Sequence, residues 1–146
     1  MRSVALESRR PHDNVVDVVV IGAGPAGSTA AGLLAAWGYS VVLVHGETDL
    51  PSLAESLPAS TKKLLGFLGQ LDAVEAASFH PNHGNISRWA EKDAVAATKV
   101  AGYHVPRAVF DRVLRDHART CGAVVLHAHV RRVDLAAPVV VEGVGP

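Results

Sequence analysis

The chain reads as an α/β fold built on a parallel sheet, on three observations. A short apolar strand, Val18 to Ile21, runs straight into glycines at 22, 24 and 27. A helix-like stretch from Ala26 to Trp37 follows, and a second strand-like run, Ser40 to Val44, comes directly after it. Strand, glycine turn, helix and strand in about 30 residues form the βαβ unit that accepts a nucleotide.

Each glycine has a separate task. Gly22 permits the tight turn off the strand, Gly24 lets the main chain approach a ligand without a Cβ in the way, and Gly27 allows the helix to pack closely on the strand. Pro25, Ala26 and Ser28 complete the opening turn of that helix. Its unpaired N–H groups and the positive end of its dipole suit a pyrophosphate, and therefore a dinucleotide cofactor. Gly38 follows Trp37 as the C-terminal stop.

Beyond this unit, Glu47 to Pro58 reads as a loop, with Pro51 and Pro58 limiting regular structure. Ser60 or Thr61 is placed to cap a helix whose apolar face includes Leu64, Leu65 and Leu68, and Leu71 to Ala77 reads as another short helix. The breaker-rich run His80-Pro81-Asn82-His83-Gly84-Asn85 reads as a loop. Strands near Ile86 to Trp89 and Val95 to Val100 come next, able to pair as a hairpin. Pro106 suits a helix start. Val109, Phe110, Val113, Leu114 and His117 then share a face, with Asp111 and Arg115 spaced to pair on the other. Gly122 ends that helix. Ala123 to Leu126 reads as a buried strand that joins the first two in one parallel sheet, and Val139 to Val141 as a later strand. The strands near Ile86 and Val95 form a small antiparallel insertion.

Length and composition bound the rest. With 146 residues, 49% of them hydrophobic, the chain can bury one modest core. Lysine plus arginine balances aspartate plus glutamate at 14 each, so nothing in the charge favours nucleic acid as a partner. No stretch approaches the roughly 20 apolar residues that span a bilayer. The single cysteine, Cys121, excludes an intrachain disulfide and a cysteine metal cluster, which fits a reducing, cytoplasmic setting. Residues 1–14, with Arg2, Arg9, Arg10 and Pro11, lack periodicity and are expected to be a flexible tail ahead of one domain over residues 15–146.

Three segments together carry a resemblance. Gly22-Ala23-Gly24-Pro25-Ala26-Gly27-Ser28, Ala54-Glu55-Ser56-Leu57-Pro58 and Pro106-Arg107-Ala108-Val109-Phe110-Asp111, the last with Leu114 and Ala118, are similar to the amino-terminal part of FAD-dependent oxidoreductases. The sequence most resembles flavin-dependent halogenases and geranylgeranyl-reductase-like flavoproteins, within the group of p-hydroxybenzoate-hydroxylase-like monooxygenases. This implies a Rossmann-like FAD-binding fold. It further implies that Gly22, Gly24 and Gly27 hold the FAD pyrophosphate, that Glu55 and Ser56 lie near the flavin and that Arg107 approaches the cofactor. Val130 would border the adenine through its backbone. A small-molecule substrate and an electron source, either a flavin reductase or NAD(P)H, are implied as partners.

The sequence departs from that pattern in three places. His45 stands where an acidic residue normally ends the second strand and holds the adenosine ribose, so weaker FAD affinity is expected. Ala54 replaces the glycine of the family's Gly-Glu-Ser, which would be strained at a positive φ. No Gly-Asp dipeptide occurs, and Trp37 and Trp89 do not form the halogenase Trp-x-Trp motif. His80 or a neighbour occupies the region where the halogenases carry a lysine. The domain therefore looks truncated, without the substrate-binding part, and no catalytic side chain is assigned.

Other constellations carry less. His127 and His129 alternate as if on one face of a strand, and His80 and His83 share a loop, but neither pair has a third ligand visible in sequence; no metal is expected. Cys121 sits at a helix end and reads as packing. The leading expectation is an FAD-binding oxidoreductase, monooxygenase- or halogenase-like. Its rivals are a non-catalytic nucleotide-binding remnant and an NAD-dependent Rossmann enzyme.

Overall fold

The computed structural model describes residues 15–46, 53–87, 96–98, 102–136 and 140–145. In chain order the elements are β1 (Val18–Ile21), α1 (Pro25–Ala36), β2 (Val41–His45), β3 (Ala54–Leu57), α2 (Ser60–Phe67), α3 (Leu71–Ala76), β4 (His80–Asn82), β5 (Asn85–Ser87), β6 (Ala96–Thr98), β7 (Gly102–Pro106), α4 (Arg107–Thr120), β8 (Val124–His127), β9 (His129–Asp134) and β10 (Val140–Val144).

The expected parallel sheet is present in the order β1-β2-β8. Its register pairs Val18 with Val41 and Val42 with Val124, and closes with His45 opposite His127. Asp17 ties the start of β1 to the turn before β2, its carboxylate accepting from the Ser40 amide at 2.8 Å. Alternation sends Val41 and Leu43 to the helical side, where α1 and α4 cover them with Ala31 and Ala118 in one core cluster. Gly32 faces Ala118 where the two helices meet, and a Cβ there would sit in van der Waals contact, 3.4 Å from the Ala118 Cα. The other face of the sheet carries Val19, Val42 and Val44, which line an apolar cavity of about 480 Å³ with Leu126, Ala128 and Val130. The antiparallel pair β9–β10 forms its far side through Val141 and Val144. Val124 and Leu126 are 55% and 47% exposed, so β8 is not the buried strand its apolar run suggested. It lies at the edge of the sheet order, with β2 on one side only.

A second sheet, antiparallel and ordered β3-β7-β4, departs from the sequence reading in all three strands, its central strand Gly102–Pro106 included. Ala54–Leu57, expected as loop, pairs with β7 from Ala54 opposite Pro106 to Leu57 opposite Tyr103. His80–Asn82, also expected as loop, pairs with the other edge of β7. Both runs have weak strand character, and a tertiary partner supplies what local preference lacks. Pro81 is tolerated because β4 is an edge strand. Leu57 and Val105 bury their side chains against Leu65, Val74, Phe110 and Leu114 in a second core cluster. The insertion hairpin is present as β5 paired with β6; residues 88–95 and 99–101 of that expectation lie outside the described residues. So do residues 1–14 and 47–52.

Helix ends follow their chemistry with two corrections. Gly38 and Gly122 adopt φ of +92° and +104°, as C-terminal glycines do. Helix α2 starts at Ser60 from Ala59, with no side-chain cap bond from Ser60 or Thr61; the Thr61 amide instead donates to the Pro58 carbonyl at 2.9 Å. In α4, Asp111 pairs with Arg107 one turn before it, rather than with Arg115.

Candidate functional site

The glycine turn has the geometry its sequence implies. Gly22 takes a φ of +99°, open to glycine and strained for other residues, and its amide donates to the Val44 carbonyl at 2.8 Å, locking the turn to β2. Gly24 is the N-cap of α1 and Pro25 its first residue. A Cβ on Gly27 would overlap the Gly22 carbonyl oxygen, so only glycine lets the helix sit this close to the turn. Ser28 is fully buried and its hydroxyl donates to the Ala23 carbonyl at 3.1 Å, fastening the loop from below. The first amides of a helix have no acceptor within it, and at α1 these belong to Gly24, Ala26 and Gly27 because Pro25 has none. The surface beside them is open: a Cβ on Gly22 would meet nothing within 4 Å, and one on Gly24 would meet only the Arg107 Nη2, at 3.8 Å.

Arg107 is thus suspended over the turn, and three residues hold it there. Its Nη1 donates to Glu55 Oε2 at 2.9 Å, its Nε to Asp111 Oδ1 at 3.3 Å, and its backbone amide to the Leu53 carbonyl at 3.0 Å. Hydrogen bonding by Asp111 holds the guanidinium above its ordinary pKa. Glu55 and Arg107 therefore meet beside the glycine turn, a pairing that neither residue's sequence position announced. Their partner Asp111 was legible only as a helix-face residue.

Ser56 goes elsewhere. Neighbouring strand residues face opposite sides, and Ser56 Oγ lies 2.9 Å from His104 Nδ1 across the β3–β7 ladder. Opposite His104 on its other side stands His80. Ala54 is extended in β3 and is not at a positive φ; among the described residues Ser78 alone, apart from glycines, is. The strain expected of Ala54 is absent. Against the outer side of the turn, an apolar cavity of about 450 Å³ is lined by Pro25, Ala26, Leu57, Leu65 and Phe110, with Glu55 at its rim.

At the end of β2, His45 stacks on His127, ring centroids 4.9 Å apart and planes 23° from parallel. Burial, then the charges of Arg115 and His127, lower the His45 pKa below 6.5. His127 and His129 do not share a strand face, because Ala128 separates β8 from β9 and its amide bonds the His45 carbonyl at 2.8 Å. The His129 ring instead covers Gly46, within 2.6 Å of where a Cβ would stand. Val130 lines the apolar cavity beneath the strand ends. Sulfur and imidazole meet at the end of α4, Cys121 Sγ lying 3.5 Å from His117 Nε2.

A strand, an open glycine turn, a helix start and a braced arginine define a dinucleotide-binding α/β domain. The chain belongs to the FAD binding domain family, whose pattern matches residues 15–135. It is 37% identical over 111 residues to a tryptophan 2-halogenase of Chondromyces crocatus, covering 72% of this chain and 21% of that one. Over 118 residues it is 35% identical to digeranylgeranylglycerophospholipid reductase 1 of Methanothermobacter thermautotrophicus, covering 74% and 28%. Among solved structures, the myxobacterial chondrochloren halogenase CndH, an FAD-dependent halogenase, superposes with a TM-score of 0.73 at 28% identity, over 84% of this chain and 31% of that one. The chain spans about a fifth to a third of the length of these proteins. FAD, not NAD, is therefore the cofactor of this family. No helix among the described residues is long and apolar enough to cross a membrane.

Proposed function

We propose that this chain is the amino-terminal, FAD-holding part of a flavin-dependent oxidoreductase of monooxygenase or halogenase type. Gly22, Gly24 and Gly27, with Pro25, Ala26 and Ser28, shape the turn that cradles the pyrophosphate, and the amides of Gly24, Ala26 and Gly27, which have no acceptor within the helix, bind it. Arg107, fixed by Glu55 and Asp111, supplies the facing positive charge. His45 meets the adenosine ribose, and Val130 borders the adenine through its backbone. Glu55 lies toward the flavin, and Ser56 contributes there through its main chain because its hydroxyl is turned to His104. When bound, FAD supplies the redox chemistry through its isoalloxazine; these residues bind and orient it. A small-molecule substrate and a flavin reductase or NAD(P)H as electron source accord with the halogenase and reductase relatives. A lone cysteine accords with a reducing, cytoplasmic setting.

The observation that carries this reading is the open surface at Gly24 beneath the Arg107 guanidinium. Titrating the purified chain with FAD tests it: flavin fluorescence should quench saturably. Gly24→Val should fold, since its Cβ meets only an ordinary contact, yet lose binding by more than tenfold. Unchanged fluorescence with the unmutated chain sinks the reading. A second reading, a nucleotide holder without turnover, is favoured by His45 in place of the acid; it predicts FAD binding with no NAD(P)H consumption.

A further inference from the structure

We propose that the stacked His45–His127 pair is the ribose-recognition element of this fold, and that it makes cofactor binding compete with a proton. The inference rests on the FAD reading and concerns how the adenosine end is held.

The pair is built by the sheet. Parallel register sets His45 and His127 opposite each other at the last rung of β2 and β8, and their rings lie 4.9 Å apart. His45 ends the strand that follows the glycine turn and its helix, about 20 residues after the turn, the place from which a side chain reaches the ribose of a dinucleotide. A carboxylate there accepts from two hydroxyls. A neutral imidazole has one acceptor nitrogen, and an imidazolium has none. One hydrogen bond must therefore serve, and its direction depends on the plane of the ring. The stack fixes that plane.

The surroundings push the His45 pKa down, through burial and then the charges of Arg115 and His127, against a backbone hydrogen bond at Gly46 that pushes it up. His127 approaches from β8, Arg115 and Arg119 from α4, and the His129 ring from β9 covers the adjoining Gly46. Arg119 contributes least of these charges, and Asp116 neutralises it in an ion pair. Arg115 has no ion-pair partner among the described residues. A proton on His45 would face Arg115 and His127 and would occupy the nitrogen that a ribose hydroxyl needs. A ribose bound to His45 as donor thus displaces a proton at acidic pH, and affinity falls as pH falls. If the pair served only as positive charge for the diphosphate, affinity would rise instead.

Isothermal titration of the full chain with FAD, ADP and 2′-deoxy-ADP between pH 5.5 and 8.0 decides the matter. For FAD, whose diphosphate does not titrate in this range, the expected result is a Kd about tenfold tighter at pH 7.5 than at pH 5.5. His45→Gln, which keeps a hydrogen-bonding group that does not titrate, should flatten that dependence. His127→Ala should weaken affinity several-fold at pH 7.5, and His127→Phe, which keeps a ring to stack on, should weaken it less. At pH 7.5, 2′-deoxy-ADP should bind several-fold more weakly than ADP; equal affinity overturns the inference. Affinity that rises on acidification, or a pH profile unchanged by His45→Gln, overturns the inference while leaving the FAD reading intact. Absence of binding by FAD and ADP at every pH overturns both.

Discussion

A side-chain carbon on Gly27 would collide with the carbonyl oxygen of Gly22, an atom of the main chain that cannot turn aside. Helix α1 and the turn before it are therefore in contact without an intervening methyl group. Gly27→Ala should cost about 3 kcal/mol or more, at the upper end of overpacking penalties. A thermal melt followed by circular dichroism should show a midpoint many degrees lower. A melt matching the unmutated chain would mean that α1 does not approach the turn this closely.

Arg107 and Glu55 are both partly exposed, with side chains 37% and 45% accessible, so their ion pair is worth at most about 1 kcal/mol to stability. Its effect should appear in binding. Arg107→Ala should leave the melting temperature within a few degrees and weaken FAD at least tenfold in a fluorescence titration. Glu55→Gln, which frees the guanidinium to swing, should weaken it less. Ser56→Ala removes a hydroxyl aimed at His104 and should change FAD affinity less than twofold.

Much of this arrangement could be read from the chain, and the reasons differ by residue. Strand β1, the glycine turn, α1 and β2 are local, and each glycine announced its own backbone demand. Helix α4 was legible from its apolar spacing, and buries Phe110, Leu114 and Ala118. Strands β3 and β4 were not legible, because Ala-Glu-Ser-Leu and His-Pro-Asn have little strand preference and become strands only against β7. The same dependence hid the Ser56–His104 bond and the His45–His127 stack, which exist only once two distant strands fall into register. Asp111 as the brace of Arg107 could have been found: the two stand one helical turn apart.

Ala54 occupies an extended position that alanine accepts. Restoring the family's glycine by Ala54→Gly should therefore lower stability by roughly 0.5–1 kcal/mol, through the extra freedom of the unfolded chain. Urea denaturation would measure it. A stabilised Ala54→Gly protein would show that β3 is strained at this position.

His45 also links folding to pH. Burial, with Arg115 and His127, lowers its pKa in the folded chain below the ordinary 6.5, so under acid the unfolded chain takes up the proton first. The neutral form's contribution is complete above pH 6.5 and is lost as pH drops through the folded value. Melting temperature should decline from pH 7.5 to 5.5, and His45→Gln should decline less. Equal slopes for the two proteins would show that His45 titrates as it does in the unfolded chain.

The Arg107 side chain is clamped by two carboxylates and its amide by Leu53. That anchoring leaves the cation little to reorganise when an anion arrives. Immobilising such a long side chain costs about 0.5–1.5 kcal/mol, and here folding rather than ligation bears it. Arg107 is preorganised: its place is set by the fold before any anion meets it.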